Sequence, residues 1–91
     1  VMKNFEKNSY KAGKKCCLSE LGLNQKGKII SVFHPNFSLR MRLLDMGLTK
    51  NVIVTITKLS PFGNPMSIMF RNYELVMRKQ DLKNIMVEVI K

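Results

Sequence analysis

The side chains that could do chemistry in this sequence are few and far apart. One histidine is present, His34, beside a proline, and two cysteines are adjacent, Cys16 and Cys17. These three could in principle hold a soft metal ion. They fall at opposite ends of an expected strand, however, so a loop histidine and two free thiols is the plainer reading. Neighbouring cysteines seldom bridge each other, because the bridge geometry is strained. No C-x-x-C spacing appears, and free thiols suit a reducing compartment. The six acids, Glu6, Glu20, Asp45, Glu74, Asp81 and Glu88, are scattered with no spacing that suggests an acid–base pair. There is no Gly-rich phosphate loop carrying a lysine and no zinc-ligand spacing. The residues therefore point away from an enzyme and assign no catalytic, cofactor or metal site.

Binding chemistry is better represented. Sixteen Lys and Arg stand against six Asp and Glu, a formal charge of +10 on 91 residues. Such a balance favours anionic partners, whether nucleic acid, an acidic protein face or lipid headgroups, and equally describes a solvated basic surface. Arg40, Arg42, Lys58, Arg71, Arg78 and Lys79 could form a nucleic-acid groove. Small barrels that bind single strands add stacked aromatics to such a groove. Here the strands offer only Phe33 and Phe70, both at expected core positions, and Tyr73 sits in a turn. No stable nucleic-acid complex is expected.

The most informative stretch is a short helix over Ser38–Met46. Asn36 and Ser38 can each cap its first turn. Leu39, Leu43 and Met46 recur at i, i+4 and i+7 and share a face. Gly47 supplies a left-handed stop, and Leu48 can fold back on Leu43. At about 100° per residue, Met41 and Leu44 fall on the far side, beside Arg40 and Asp45. Either a loop or the N-terminal segment covers this second apolar stripe, or Arg40, Met41 and Leu44, with Phe62 from a nearby loop, form a docking patch.

Strands must carry that helix, because a lone short helix is marginal in water. Leu18 and Leu21 belong to a helical turn stopped at Gly22. Lys26–Phe33 reads as a first strand, broken by Pro35. Val52–Leu59 alternates, with Val52, Val54 and Ile56 facing one way and Ile53, Thr55 and Thr57 the other. A loop rich in turn formers covers residues 60–65. Met66, Ile68 and Phe70 mark a third strand, Arg71-Asn72-Tyr73 a tight turn, and Glu74–Met77 a fourth strand. A helical turn over Lys79–Asn84 precedes a last strand, Met86–Ile90. The pattern is mostly β: a small antiparallel barrel with one short helix after the first strand and a helical turn before the last. Its expected core is Ile29, Leu39, Leu43, Met46, Val54, Ile56, Ile68, Leu75, Leu82 and Val87. Residues 1–15, with five lysines against Glu6, read as a basic tail, mobile or forming a short helix that lays Phe5 on the barrel or a second copy. Residues 16–91 form the domain. No apolar run approaches the roughly 20 residues that span a bilayer, and no apolar stretch follows the early lysines, so a cytoplasmic protein is expected.

Several blocks appear in a telling order: Leu18-Ser-Glu-Leu, Gln25-Lys-Gly-Lys-Ile, Arg40-Met-Arg-Leu-Leu-Asp-Met-Gly-Leu-Thr49, Pro61-Phe-Gly-Asn-Pro65 and Tyr73-Glu-Leu-Val-Met-Arg-Lys79. Together, from about Cys17 to Ile90, they resemble the ferrous iron transport protein A (FeoA-like) family. The resemblance implies an SH3-like barrel and a small cytoplasmic accessory or regulatory protein of bacterial ferrous iron transport. It implies docking on the GTP-binding cytoplasmic part of the iron permease, and so a position peripheral to the membrane, with weak homo-oligomerisation open. The same barrel is similar to the C-terminal domain of iron-dependent repressors, the alternative alongside a nucleic-acid-binding module. One departure is Asn72, where the family usually has glycine; asparagine tolerates the same backbone.

Overall fold

The computed structural model describes residues 13–62 and 64–90. Six antiparallel strands make one sheet: β1 (Lys15–Cys17), β2 (Lys26–Val32), β3 (Ile53–Leu59), β4 (Met66–Phe70), β5 (Tyr73–Met77) and β6 (Ile85–Ile90). Their spatial order is β1-β6-β2-β3-β4-β5. Helix α1 (Phe37–Asp45) connects β2 to β3, and the single-turn α2 (Lys79–Leu82) connects β5 to β6. The strand expected to come first is thus the second. β1 escaped notice because three residues are too few to show alternation, and it begins at Lys15, inside the lysine-rich stretch. It joins the sheet through Lys15, Cys16 and Cys17 opposite Glu88, Val87 and Met86.

Alternation decides which face is covered. Val54 and Ile56 of β3, Met66, Ile68 and Phe70 of β4, and Ile85, Val87 and Val89 of β6 are buried, while Ile53 and Met69 face outward. Two register shifts, between Ile29 and Ser31 and between Ile56 and Lys58, insert extra residues into β2 and β3. Such bulges bend a strand and sharpen its twist, which lets a short sheet curl over a small core. A 3₁₀ turn at Leu18–Glu20 adds Leu18 and, just beyond it, Leu21 to that core.

Two close approaches hold the layers. Where β2 pairs with β6, a Cβ on Gly27 would lie 2.9 Å from both Cβ and Cγ2 of Val87, so only glycine fits. At the end of α1, Gly47 has φ +103°, a region that L side chains avoid. Gly47 N–H donates to Leu44 O and Leu48 N–H to Leu43 O, each at 3.0 Å, the paired bonds of a Schellman stop. Leu43 and Leu48 are both buried there. The β4–β5 hairpin turns on Arg71 and Asn72, both at positive φ, as a two-residue type I′ turn requires.

Of the expected core, Ile29, Leu43, Val54, Ile56, Ile68, Leu82 and Val87 are buried. Leu39, Met46 and Leu75 are only partly buried, packed against the core's edge. The reason is a cleft between α1 and β5 that all three line. Phe33 departs further. It lies beyond the end of β2 and is 65% exposed, whereas Phe70 is buried as expected. Its N–H still bonds Asn84 O at 2.9 Å, but by then the chain is leaving the sheet for the turn into α1.

This packing makes two expectations quantitative. Leu43→Ala should lose about 2–5 kcal/mol of unfolding free energy, because it empties a buried site. Gly27→Ala should lose about 1–3 kcal/mol, because Val87 and two strand backbones must separate. Chemical denaturation measures both, and a change within about 0.5 kcal/mol at either position contradicts the packing described.

Candidate functional site

Helix α1 begins where Asn36 Oδ1 accepts the Leu39 N–H at 3.1 Å, so Asn36 rather than Ser38 is the cap. His34 fixes the turn before it. The His34 Nδ1 accepts the Asn36 N–H at 3.0 Å, which assigns the ring proton to Nε2. That nitrogen donates to Asp81 Oδ1, also at 3.0 Å. The sole histidine therefore ties the helix entry to α2. At the other end, the Arg71 side chain lies over Gly47, its Nε 3.3 Å from where a Cβ would be. A cation there suits the negative end of the helix dipole.

With its inner stripe and both ends held, α1 turns a second face outward. Met41 is exposed, Arg40 and Leu44 are half-buried, and Phe37 is 62% exposed. On a helical wheel Phe37 falls between Leu44 and Met41, so the outer stripe is wider than the two residues expected. The Arg40 guanidinium lies 5.4 Å from the Phe37 ring centre and 5.9 Å from that of Phe33. These are cation–π distances, and they hold the long Arg40 side chain against two exposed rings. Arg40, Met41 and Leu44 are thus together on one face, with Phe33 and Phe37 beside them. Sequence reasoning passed over Phe33 by extending β2 to it. It passed over Phe37 by starting the helix one residue later.

Phe62 is 94% exposed. Its loop is anchored to α2 rather than to α1: Asn64 Oδ1 accepts the Lys79 N–H at 2.9 Å. Whether residues 1–12 cover the outer stripe lies outside the described residues.

The thiols and the histidine are separated by other engagements. Cys16 is buried and Cys17 half-buried, with its sulfur 3.9 Å from that of Met86. Burial pushes the Cys16 thiol up from its ordinary range, and the nearby Glu20 and Cys17 add to the effect against Lys14. Among the described residues no group of three His, Cys, Asp or Glu side chains is arranged to hold a metal ion. No helix among them is long and apolar enough to cross a membrane.

An antiparallel sheet of this order, curled over one core with a helix and a helical turn in its connections, is a small SH3-like barrel. Residues 16–89 match the model of the FeoA domain, and the chain belongs to the FeoA family, small proteins accessory to ferrous iron transport. Its structure is similar to that of a FeoA-like protein from Clostridium acetobutylicum, with 32% identity, 86% of this chain and 90% of that one covered, and a TM-score of 0.74. It is also similar to FeoA of Stenotrophomonas maltophilia, an SH3 domain protein determined with zinc, at 27% identity over 79% and 88% of the two chains and a TM-score of 0.71. A manganese-dependent transcriptional repressor shares the fold alone, at 9% identity over 84% of this chain and 37% of that one, with a TM-score of 0.73. No curated protein matches the sequence.

The two sulfurs should behave differently. At neutral pH a thiol reagent should label Cys17 well before Cys16, because Cys16 is buried and its thiolate is disfavoured. The folded chain keeps the Cys16 proton after the unfolded chain has lost it, so stability should fall as pH rises above the ordinary thiol range of about 8.5. Equal labelling rates would show Cys16 to be accessible, and stability that rises through that range would contradict a raised Cys16 thiol.

Proposed function

We propose that this protein works by docking, as a cytoplasmic accessory or regulatory subunit of a ferrous-iron permease. Its partner is the permease's GTP-binding cytoplasmic domain, so it sits peripheral to the membrane. The observation that carries this reading is the outer face of α1, where Arg40, Met41 and Leu44 adjoin two exposed phenylalanines. Family membership supplies the iron-transport context. For the Stenotrophomonas maltophilia protein, a role as a ferrous iron transport activating factor has been raised, in keeping with an accessory part.

The physical case rests on what the face contains. Exposed apolar surface with a polar rim is the composition of an interaction site. Aromatic residues and arginine dominate binding energy at such sites. The Arg40 guanidinium lies over the Phe33 and Phe37 rings, so the three side chains are already gathered on one face. A chain of net charge +10 would also be steered towards an acidic partner face. Phe62 is kept as a second contact, reached by the partner over the α2 side.

The family's nucleotide chemistry belongs to the partner in this reading. The chain itself acts by binding, and any change in GTP turnover would follow from which state of the domain it prefers.

Leu44→Asp should abolish binding of the permease's cytoplasmic domain while shifting the melting temperature by only a few degrees. Arg40→Glu should slow association, more so at low salt. Titration calorimetry and stopped-flow mixing read the two effects. Unfolding of the Leu44→Asp chain would instead make Leu44 part of the core. Nucleic-acid binding at physiological salt, with affinity falling steeply as salt is added, would favour the rival reading.

A further inference from the structure

The cleft between α1 and β5 is distinct from the outer face of the helix. It has a volume of about 260 Å³ and is lined on the helix side by Leu39, Arg42 and Met46 and elsewhere by β5 and Asp81. That is small for a drug-sized ligand but roomy for one or two aliphatic side chains. Four consecutive residues, Leu75 to Arg78, line it. Successive side chains of a strand point to opposite faces, so a cleft that meets all four meets the strand along its edge.

The edge is open for pairing. Among the described residues β5 pairs with β4 alone and ends the sheet. The two-residue turn at Arg71-Asn72 makes Phe70 and Tyr73 a hydrogen-bonded pair, and alternation along the ladder follows from it. Leu75 and Met77 therefore bond inward to Ile68 and Met66, while the N–H and C=O of Glu74 and Val76 point away from β4. Val76 is 62% exposed. An unpaired row of this kind is a template for another strand.

Charge selects the occupant. Arg42 makes no ion pair with a described residue. The one acid in the cleft, Asp81, is already engaged by His34 at 3.0 Å and by Arg78 at 3.7 Å. Arg42 and Arg78 thus line the cleft with one already engaged acid, and the balance of charge around it is positive. A second copy of this chain, also at +10, brings no net charge complementarity to the cleft. The chain's own first twelve residues, with Lys3, Lys7 and Lys11 against Glu6, have the wrong sign too.

We propose that an extended acidic segment of a partner adds to the edge of β5, bonding the backbone of Glu74 and Val76, setting an aliphatic side chain into the cleft and a carboxylate against Arg42 and Arg78. This is strand addition, in which the main chain supplies affinity and alternate side-chain pockets supply specificity. The inference rests on the docking reading only for the identity of the partner, and adds the chemistry of the segment it presents.

The probe is a capped synthetic peptide of about eight residues, alternating glutamate with leucine or valine. It is titrated into the full ¹⁵N-labelled chain. Saturable shifts at the Glu74 and Val76 amides, with protection from hydrogen exchange on binding, are expected. Val76→Pro removes an edge N–H without touching the β4 ladder, a position where proline is tolerated. It should keep the fold and weaken the peptide by about tenfold. The Arg42→Glu, Arg78→Glu double variant should lose the glutamate peptide and prefer one with lysine in its place. The proposal is overturned by any of three results: no saturable shift at those amides, edge amides already protected in the free chain, or a charge preference that the double variant fails to reverse. The permease domain takes no part in this experiment. Failure of the docking reading leaves its result standing, and loss of peptide binding leaves the docking reading standing.

Discussion

Everything distinctive about this chain depends on seating a helix that could not form by itself. Nine residues are too few for an isolated helix in water. Leu43 enters the core, and the Schellman bonds bring buried Leu48 in behind it. Asn36 closes the first turn, and His34 reaches across to Asp81. The burial of Leu43 and Leu48 supplies most of the stabilisation, since a buried leucine is worth about 1.5–3 kcal/mol and a cap typically nearer 1. Among the described residues the inner stripe and the two ends carry the contacts that seat the helix, and Phe37 and Met41 on the outer side are exposed. Aromatic and basic side chains can then collect there without loss of fold.

The same seating creates the cleft. A helix laid beside an edge strand cannot fill the space along it completely, and here Leu39, Met46 and Leu75 stay partly open. The helix thus offers a rigid outer face and, on its flank, a narrow groove against an unpaired backbone.

Much of this was legible in the sequence, and the limits have physical causes. The helix stop was clear because Gly47 and Leu48 carry a local signal with its own geometry. The strands β3 and β6 were clear because a half-buried strand must alternate. The fate of Phe33 was not, because β propensity cannot say where a strand leaves its sheet; that is decided where β6 begins, at Ile85, far along the chain. The partial exposure of Leu39 and Leu75 was hidden for the same reason, since the cleft forms between segments far apart in sequence. The edge position of β5 was equally out of reach. Arg71 is the reverse case: a tight turn was expected, yet positive φ at a long side chain was foreseen only for Asn72.

The central claim is that a core-anchored α1 presents its other face to a partner. The most direct measurement is an NMR titration of the ¹⁵N-labelled chain with the permease's cytoplasmic domain, following every backbone amide. The account predicts that the perturbed amides cluster from Phe33 to Leu44 and extend to the β5 edge, with the buried residues of β3 and β6 unmoved. Perturbation confined to the β2–β3 pairing around Lys28 and Ile53, or no perturbation at saturating domain, would contradict it.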